Sequence, residues 1–345
     1  MKTASHAVLA ALLTAALPLA SGCANGTGDS SSDNGRDAGK ANGGSDASAG
    51  EAAQSGITDG GKTCNAPSWS VETSSTTINL SGIFATPTDV YVGGDAGTML
   101  HSMGDGTWTL GPNPNPLAGI DQIWGVSNQD VYASWGAGGV LHLVNGTWMT
   151  EGADFLSELR GIWGSGGEVY SPTVAGFVAH RATDGTWKNE PTPLSGSRSQ
   201  YEAIWGSGSD DIYVCGNGSI LHSIGDGAWV AQTSPSSDSF RGMWGSAKDD
   251  IYIVGDNGSI QHTTGDGTWV AQTSNTTSNL MGVWGSARDD VYAVGENGTV
   301  LHSTGAGDWV AQPSGTSAFL YAISGTGACN VYAVGRGGAI LHLKG

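Results

Sequence analysis

Residues 282–312 read GVWGSARDDVYAVGENGTVLHSTGAGDWVAQ, and residues 242–272 read GMWGSAKDDIYIVGDNGSIQHTTGDGTWVAQ. Each copy holds four short β-type runs. In the later copy these runs contain, in order, WGS, DVYAVG, TVLHST and WVAQ. The Asn297–Gly298 pair between the second and third runs accepts the positive φ angles of a tight hairpin. The first-run aromatic residue, or its replacement, recurs at spacings of 39 to 42 residues: Phe84, Trp124, Trp163, Trp205, Trp244, Trp284 and Ser324. This period predicts an all-β protein, a seven-bladed β-propeller with four-stranded blades.

The last repeat ends at Gly345 before a fourth run, and the missing run lies at the other end of the chain. Residues 68–84, SWSVETSSTTINLSGIF, align without a gap on residues 268–284, TWVAQTSNTTSNLMGVW. Trp69 therefore occupies the place of the absent fourth-run tryptophan. We predict that this N-terminal strand completes the last blade and closes a propeller of residues 64–345. A linear solenoid, the structural alternative, would not need a repeat that is split between both ends.

The N-terminal residues are typical of an export signal. Lys2 precedes an apolar run over residues 7–20, which is too short to span a bilayer as a permanent helix. The next residues, LASGC (19–23), resemble the lipobox of bacterial lipoproteins, although that family usually has Leu where Ala20 stands. The resemblance implies that residues 1–22 are a signal peptide and that Cys23 is lipidated. The chain would then be held in the cell envelope, at the outer membrane on its periplasmic or surface face. An ordinary signal peptide that is cleaved nearby is the alternative.

Composition separates a tether from the folded domain and excludes some partners. Residues 23–63 contain almost no large apolar side chain, so they cannot offset their ordering entropy and are predicted to form a flexible tether. The formal net charge of −18 repels phosphate backbones, which argues against a nucleic-acid partner. The sequence has no recognisable metal set, phosphate loop or convergent nucleophile. We therefore expect no cofactor and no metal, and we expect a monomer.

The turn before the fourth run, SMGDGTW at residues 102–108, resembles the Asp-box of bacterial neuraminidase repeats. It is one residue shorter than the pattern S-x-D-x-G-x-T-W, and its Asp is displaced. The whole domain is loosely similar to secreted propellers of the Asp-box and kelch-like kind. Members of that group include glycosidases, lectins and assembly factors, so the resemblance implies a fold rather than an activity.

Each repeat carries one histidine in its third run, and three repeats carry an Asp-Asp pair after the first run. Sevenfold symmetry places such histidines about 15 Å apart, which is too far for one shared metal ion. We predict that they are packed, hydrogen-bonded residues between blades, with His302 opposite Ala293. We assign the aspartate pairs, such as Asp289–Asp290, to turns. A glycosidase acid–base pair and calcium at one turn are the alternatives.

One position breaks the repeat on a face that all blades share. It lies three residues before the first-run aromatic and reads Ser81, Asp121, Arg160, Glu202, Arg241, Met281 and Tyr321 around the ring. Its place at one mouth of the central channel predicts a ligand site that uses Asp121, Arg160, Glu202, Arg241 and Tyr321. Tolerated variation at a solvated position is the alternative. Asp121 and Glu202 would be the only plausible acid–base pair of an enzyme.

Trp135 and the cysteines also depart from the repeat. Trp135 either fills space that Gly93 leaves in the adjacent blade or forms an aromatic platform for a sugar. Cys64 and Cys329 fall in turns on the same propeller face, so we predict a disulfide that locks the ring. Cys215 is predicted to be a buried apolar thiol.

These features favour a membrane-tethered, exported lipoprotein whose propeller binds a protein or glycan partner. A glycoside hydrolase or lyase with its site at the channel mouth is the second hypothesis. An assembly scaffold without a small ligand is the third.

Overall fold

The computed structural model describes residues 58–59, 62–63, 67–136, 138–151, 157–196 and 200–345. All of them belong to one compact unit, Ala53–Gly345. Seven four-stranded antiparallel sheets form the blades of a propeller, as the repeat predicts. We number the blades 1 to 7 along the chain and letter their strands A to D from the channel outward. No helix among the described residues is long and apolar enough to cross a membrane.

The strands of the first four blades, in the order A to D, have the following bounds. Blade 1 has Leu80–Ala85, Val90–Gly94, Met99–Ser102 and Thr109–Leu110. Blade 2 has Ile120–Ser127, Asp130–Trp135, Gly139–Val144 and Thr147–Glu151. Blade 3 has Trp163–Ser165, Glu168–Pro172, Phe177–Arg181 and Trp187–Pro191. Blade 4 has Ala203–Gly208, Asp211–Gly216, Ser219–Ser223 and Val230–Gln232.

The last three blades follow the same order. Blade 5 has Phe240–Ala247, Asp250–Gly255, Ile260–Thr263 and Val270–Gln272. Blade 6 has Leu280–Ala287, Asp290–Gly295, Val300–Ser303 and Val310–Ala311. Blade 7 has Leu320–Gly327, Asn330–Gly335, Ile340–Lys344 and, from the start of the chain, Ser68–Glu72. Short 3-10 turns follow strand B in four blades, at Asp95–Gly97, Asp256–Gly258, Glu296–Gly298 and Arg336–Gly338, and Thr58–Asp59 pairs with Lys62–Thr63 as a separate ribbon.

The N-terminal strand closes the ring, as the split repeat predicts. Ser68–Glu72 pairs antiparallel with Ile340–Lys344 along its whole length. Trp69 packs edge-on against Tyr292 of blade 6, with ring centroids 6.0 Å apart. Cys329 takes part in a disulfide. Cys64 lies outside the described residues, so the Cys64–Cys329 pair stays a prediction.

The repeated Trp-Gly dipeptide has a packing reason. The strand A tryptophan of one blade lies on the glycine that follows the tryptophan of the next blade. A Cβ on Gly285 would stand 2.6 Å from the ring of Trp244, so no larger residue fits beneath that ring. Two interfaces differ. Between blades 1 and 2, Phe84 takes the place of tryptophan on Gly125. Between blades 7 and 1, the small Ser324 replaces tryptophan and faces Ala85 instead of glycine. There the Ala85 amide donates to Ser324 Oγ at 3.3 Å.

The strand C histidines are packed and hydrogen-bonded, but their register differs from the prediction. His302 pairs with Tyr292, so the expected pairing with Ala293 is wrong. The B–C connection has three residues, Glu296–Gly298, rather than two, and this extra residue moves the register by one. His302 stacks on Tyr292 with ring centroids 4.3 Å apart.

Each strand C histidine also contacts a polar residue at the start of its own strand B. His302 Nε2 lies 2.8 Å from Asp290 Oδ1, and Ser286 Oγ donates to the other oxygen of Asp290. The second aspartate of the Asp289–Asp290 pair is therefore buried and holds a histidine, a role that the turn assignment missed. The equivalent pairs are His101–Asp89, His142–Asp130, His180–Glu168, His222–Asp211, His262–Asp250 and His342–Asn330.

The hydrophobic core lies between neighbouring blades. Tyr252 and Val254 of blade 5, for example, belong to one buried cluster with Leu280 and Val291 of blade 6. Cys215 is fully buried in the cluster between blades 4 and 5, and its thiol is free, in line with its prediction. Burial raises the pKa of the Cys215 thiol. Because each blade buries both faces, the blades hold strand A of every repeat at a fixed place around the channel.

Candidate functional site

The channel lining is mixed, and each blade contributes one aliphatic side chain to it from strand A or from the residue just before it. A space of about 750 Å³, part of it open to solvent, is bounded by strand A residues of the blades. The aliphatic ring consists of Ile83, Ile123, Ile162, Ile204, Met243, Val283 and Ile323, all of them buried. Glu202 and Arg241, which lie where strand A begins in their blades, line the same space.

The structure brings together the four charged residues that the repeat singled out. Arg160 lies between two carboxylates, with Nη1 3.7 Å from Asp121 Oδ1 and Nε 3.8 Å from Glu202 Oε2. Arg241 Nη1 lies 3.8 Å from Glu202 Oε1. These distances are those of ion pairs rather than of hydrogen bonds. The four side chains thus follow one another across four consecutive blades.

Two further carboxylates belong to this group and were missed from the sequence. Asp256 accepts a bidentate pair of hydrogen bonds from Arg241, at 2.9 Å and 3.0 Å. Glu158 accepts a hydrogen bond from Arg160 Nη2 at 3.1 Å. Asp256 is the first residue of the 3-10 turn between strands B and C of blade 5. The other three 3-10 turns also begin with Asp, Glu or Arg. A charged residue at this position was the signal that the sequence offered. We call the six residues the charged arc: Asp121, Glu158, Arg160, Glu202, Arg241 and Asp256.

The carboxylates of the arc outnumber its cations, and one carboxylate oxygen lacks a donor. Asp121 Oδ2 is buried and has no hydrogen-bond partner among the described residues. Burial raises the pKa of Asp121 to about 6, Arg160 opposes this shift, and Glu158 and Glu202 add to it. Burial also raises the pKa of Glu202, against the lowering effect of Arg160 and Arg241. Within the described residues the arc thus leaves Asp121 Oδ2 without a donor, and it also leaves the buried Arg160 Nε without a hydrogen-bond acceptor.

The remaining predicted site residues, Tyr321 and Trp135, make no contact with the arc's charged groups among those found in the described residues. Tyr321 stacks on Phe319, with ring centroids 4.7 Å apart. Trp135 is only 6% exposed and lies over Gly139 of its own blade. The space beside Gly93 is occupied by Ile120, so Trp135 does not fill it. Because Trp135 is buried in the core, it does not form the sugar platform that we considered.

Comparisons with known proteins support the fold. No family model matches the chain, and no curated protein matches it. Virginiamycin B lyase from Staphylococcus aureus is similar in structure, with a TM-score of 0.72 and 15% identity over 80% of this chain and 99% of the lyase. YCF48 from Cyanidioschyzon merolae has a TM-score of 0.66 and 15% identity over 80% of this chain and 98% of its own. The WD40 repeats of RRP9 have a TM-score of 0.68 and 11% identity over 81% of this chain and 100% of their own.

At these identities the likeness concerns the fold alone. Among the matching structures, one is YCF48 bound to a D1 peptide, with a TM-score of 0.67 and 14% identity over 80% of this chain and 97% of its own. The matching folds thus include a lyase and a peptide-binding protein. The chain is a seven-bladed β-propeller of a fold that serves both catalysis and binding.

Proposed function

We propose that this chain is a binding protein whose charged arc receives a basic segment of a partner protein. The observation that carries this proposal is the buried Asp121 Oδ2, which has no hydrogen-bond donor within the described part of the chain. A lysine or arginine side chain from a partner would supply that donor. We further propose that a lipid on Cys23 anchors the protein in the cell envelope.

The charge of the arc suits a cationic ligand. Four carboxylates face two guanidinium groups, and Arg241 is already held by Asp256. An incoming cation would relieve the repulsion that Asp121 experiences from Glu158 and Glu202. The chain carries a formal charge of −18, so its long-range field would also attract a basic partner and speed its association.

A protein partner fits the mouth better than a glycan does. Sugar-binding sites commonly offer an exposed aromatic face, on which the apolar side of the ring stacks. Trp135 is buried, and Tyr321 lies against Phe319. The matching YCF48 structure with its bound peptide gives a precedent for peptide binding by this fold.

Binding of a labelled octalysine peptide, measured by fluorescence anisotropy, tests this proposal. We expect Asp121→Asn and Glu202→Gln together to weaken binding about tenfold or more, because each carboxylate makes a charge-assisted bond worth about 1.5–3 kcal/mol. Asp210→Asn and Asp289→Asn form the matched control, since they remove the same charge from exposed turns on the opposite face. Equal weakening by both pairs, or no binding by the unmodified protein, would contradict a site at the arc.

Thermal unfolding of the same variants separates binding from folding. The pKa of Asp121 is raised from its ordinary 3.8 to about 6 in the folded protein. Its ionisation therefore lowers stability as pH rises between these two values. Asp121→Asn removes this cost at neutral pH. We therefore expect its melting temperature to equal or exceed that of the unmodified protein while binding is lost.

A hydrolase or lyase is the second candidate function, favoured by the same carboxyl group. A carboxyl with a pKa of about 6 is suited to general acid catalysis near neutral pH, and Glu202 stands beside it across Arg160. A screen of glycosides and of virginiamycin B, which the similar lyase is named for, would identify turnover. Turnover that Asp121→Asn abolishes, with a pH profile that falls above about 6, would favour the enzyme over the binding protein.

The anchor has its own test, because Cys23 lies outside the described residues. We expect the unmodified protein to fractionate with membranes and to carry a lipid at its N-terminus. Cys23→Ala should shift the protein to the soluble fraction. Recovery of the unmodified protein entirely in the soluble fraction would refute the lipid anchor.

A further inference from the structure

The groove between blades 1 and 2 lies where the repeat lacks a side chain. The position three residues after the strand D tryptophan carries Glu or Gln in six blades: Glu72, Glu151, Glu190, Gln232, Gln272 and Gln312. In blade 1 it is Gly111. In four blades this side chain accepts a hydrogen bond from the tryptophan of the following blade, in the pairs Trp108–Glu72, Trp229–Glu190, Trp269–Gln232 and Trp309–Gln272.

Two of the glutamates show what the position can do. Glu72 joins two blades, with Oε1 2.8 Å from His342 Nδ1 and Oε2 accepting from Trp108 Nε1 at 2.9 Å. Glu190 repeats the arrangement with His180 Nδ1 at 2.8 Å and Trp229 Nε1 at 3.2 Å. A carboxylate that bridges a histidine and the tryptophan of the next blade is therefore a recurring part of this propeller.

In blade 1 the two groups are present but the carboxylate is not. His101 Nε2 contacts Asp89 Oδ1 at 2.7 Å, as in the other blades. By analogy with His342, whose Nδ1 contacts Glu72, we place Nδ1 of His101 on the side of Gly111. Within the described part of the chain, neither His101 Nδ1 nor Trp148 Nε1 makes a hydrogen bond. The side chain of His101 is 33% exposed, whereas that of His342 beside Glu72 is 3% exposed.

The same groups line an apolar groove. Its space of about 760 Å³, part of it open to solvent, is bounded by His101, Trp148, Met99, Leu100, Leu143 and Pro112. The neighbouring Leu110 is 77% exposed at its rim. Two polar nitrogens thus stand at a site whose other walls are hydrophobic, an arrangement typical of sites for small amphiphilic ligands.

We propose that this groove binds a small aliphatic carboxylate. The carboxylate bridges His101 Nδ1 and Trp148 Nε1, as Glu72 bridges His342 and Trp108, and the aliphatic chain lies against Met99 and Leu143. This site is separate from the charged arc and does not depend on the function proposed for it.

A ligand carboxylate that bridges His101 and Trp148 requires the His101 ring to take up a proton. Asp89 is the charged side chain that contacts the His101 ring among the described residues, and Tyr91 stacks on the ring. The ring donates Nε2–H to Asp89, so Nδ1 can donate to a second carboxylate only when the imidazole is protonated.

Titration of the ¹⁵N-labelled protein with hexanoate tests the site through the indole N–H resonance of Trp148, which Trp148→Phe assigns. We expect a saturable shift with hexanoate and at least fivefold weaker binding of hexanamide, which carries no charge. Gly111→Glu should supply the carboxylate internally, abolish the shift and raise the melting temperature. A Cβ at Gly111 meets only Met99 O, at 3.7 Å, and the residue has no positive φ, so the substitution is sterically allowed.

His101→Phe provides a second variant, since it keeps a ring on Tyr91 and removes Nδ1; it should weaken hexanoate binding at least fivefold. Asp121→Asn, at the distant arc, should leave hexanoate binding unchanged. An unchanged hexanoate titration in Gly111→Glu or His101→Phe would overturn the proposal. Equal binding of hexanamide and hexanoate, or no shift in the unmodified protein, would overturn it as well.

Discussion

Deletion of residues 68–76 is expected to abolish cooperative unfolding or to cause aggregation. The deletion removes strand D of blade 7, so the outer edge of Ile340–Lys344 loses its hydrogen-bonding partner. It also removes Trp69 from its contact with Tyr292 and Glu72 from its contact with Trp108. The contacts of blade 7 with blade 6 and with blade 1 are therefore both weakened. Circular dichroism and light scattering during thermal unfolding measure this loss.

The control is a deletion of equal length within the predicted tether, at residues 40–48. Because this segment should contribute nothing to the ring, we expect its removal to leave the unfolding transition unchanged. If the chain that lacks residues 68–76 melts as sharply and at the same temperature as the unmodified protein, strand pairing between the two ends does not stabilise the ring.

Glu72→Ala is expected to cause the largest loss of stability among single substitutions that we consider. The Glu72 carboxylate accepts from Trp108 and Lys344 and contacts His342, and its side chain is 7% exposed. Burial by itself would raise the pKa of Glu72, but these partners lower it to about 2 from its ordinary 4.5. The shift corresponds to about 3 kcal/mol of stability at neutral pH. Urea unfolding at pH 7 should show a loss of about this size, in which the hydrogen bond from Trp108 is already included.

Glu72→Gln is the matched control, because glutamine occupies this position in blades 4, 5 and 6. The folded pKa lies below the ordinary value, so the stabilising contribution is complete above about 4.5 and is lost as pH falls toward 2. We expect Glu72→Gln to be less stable than the unmodified protein at pH 7, by at most about 3 kcal/mol. The two proteins should converge in acid. A difference that stays constant between neutral and acidic pH would show that the charge of Glu72 is not what stabilises the closure.

The strands and turn residues of the repeat could be predicted closely, but the exact pairing of side chains that the turns set could not. The Asn-Gly turns have the positive φ expected of them, at Asn297 and Gly298. The pairing of His302 was wrong by one residue, because the loop holds three residues instead of two. In a strand a shift of one residue moves every side chain to the other face, so a small error in a turn changes all partners beyond it.

The candidate site shows the same division. Variation at one repeat position drew attention to Asp121, Arg160, Glu202 and Arg241 in advance. The sequence did not reveal that Asp256 holds Arg241, since this contact depends on how far a turn reaches toward the channel. Trp135 broke the pattern as clearly as Arg160 did, yet it is buried. Deviation from a repeat marks an unusual position but does not tell which side of the strand faces solvent.

The sequence by itself determined the number of blades, their four strands and the split seventh blade. These properties follow from hydrophobic periodicity and turn residues, which act over a few neighbouring positions and recur about every 40 residues. Only the tertiary structure decided which polar groups meet across blades. The missing side chain at Gly111 matters because His101 and Trp148 line the same groove, and Asp121 matters because its buried oxygen lacks a donor. Such contacts join residues about one repeat apart, so strand register and blade packing fix them together.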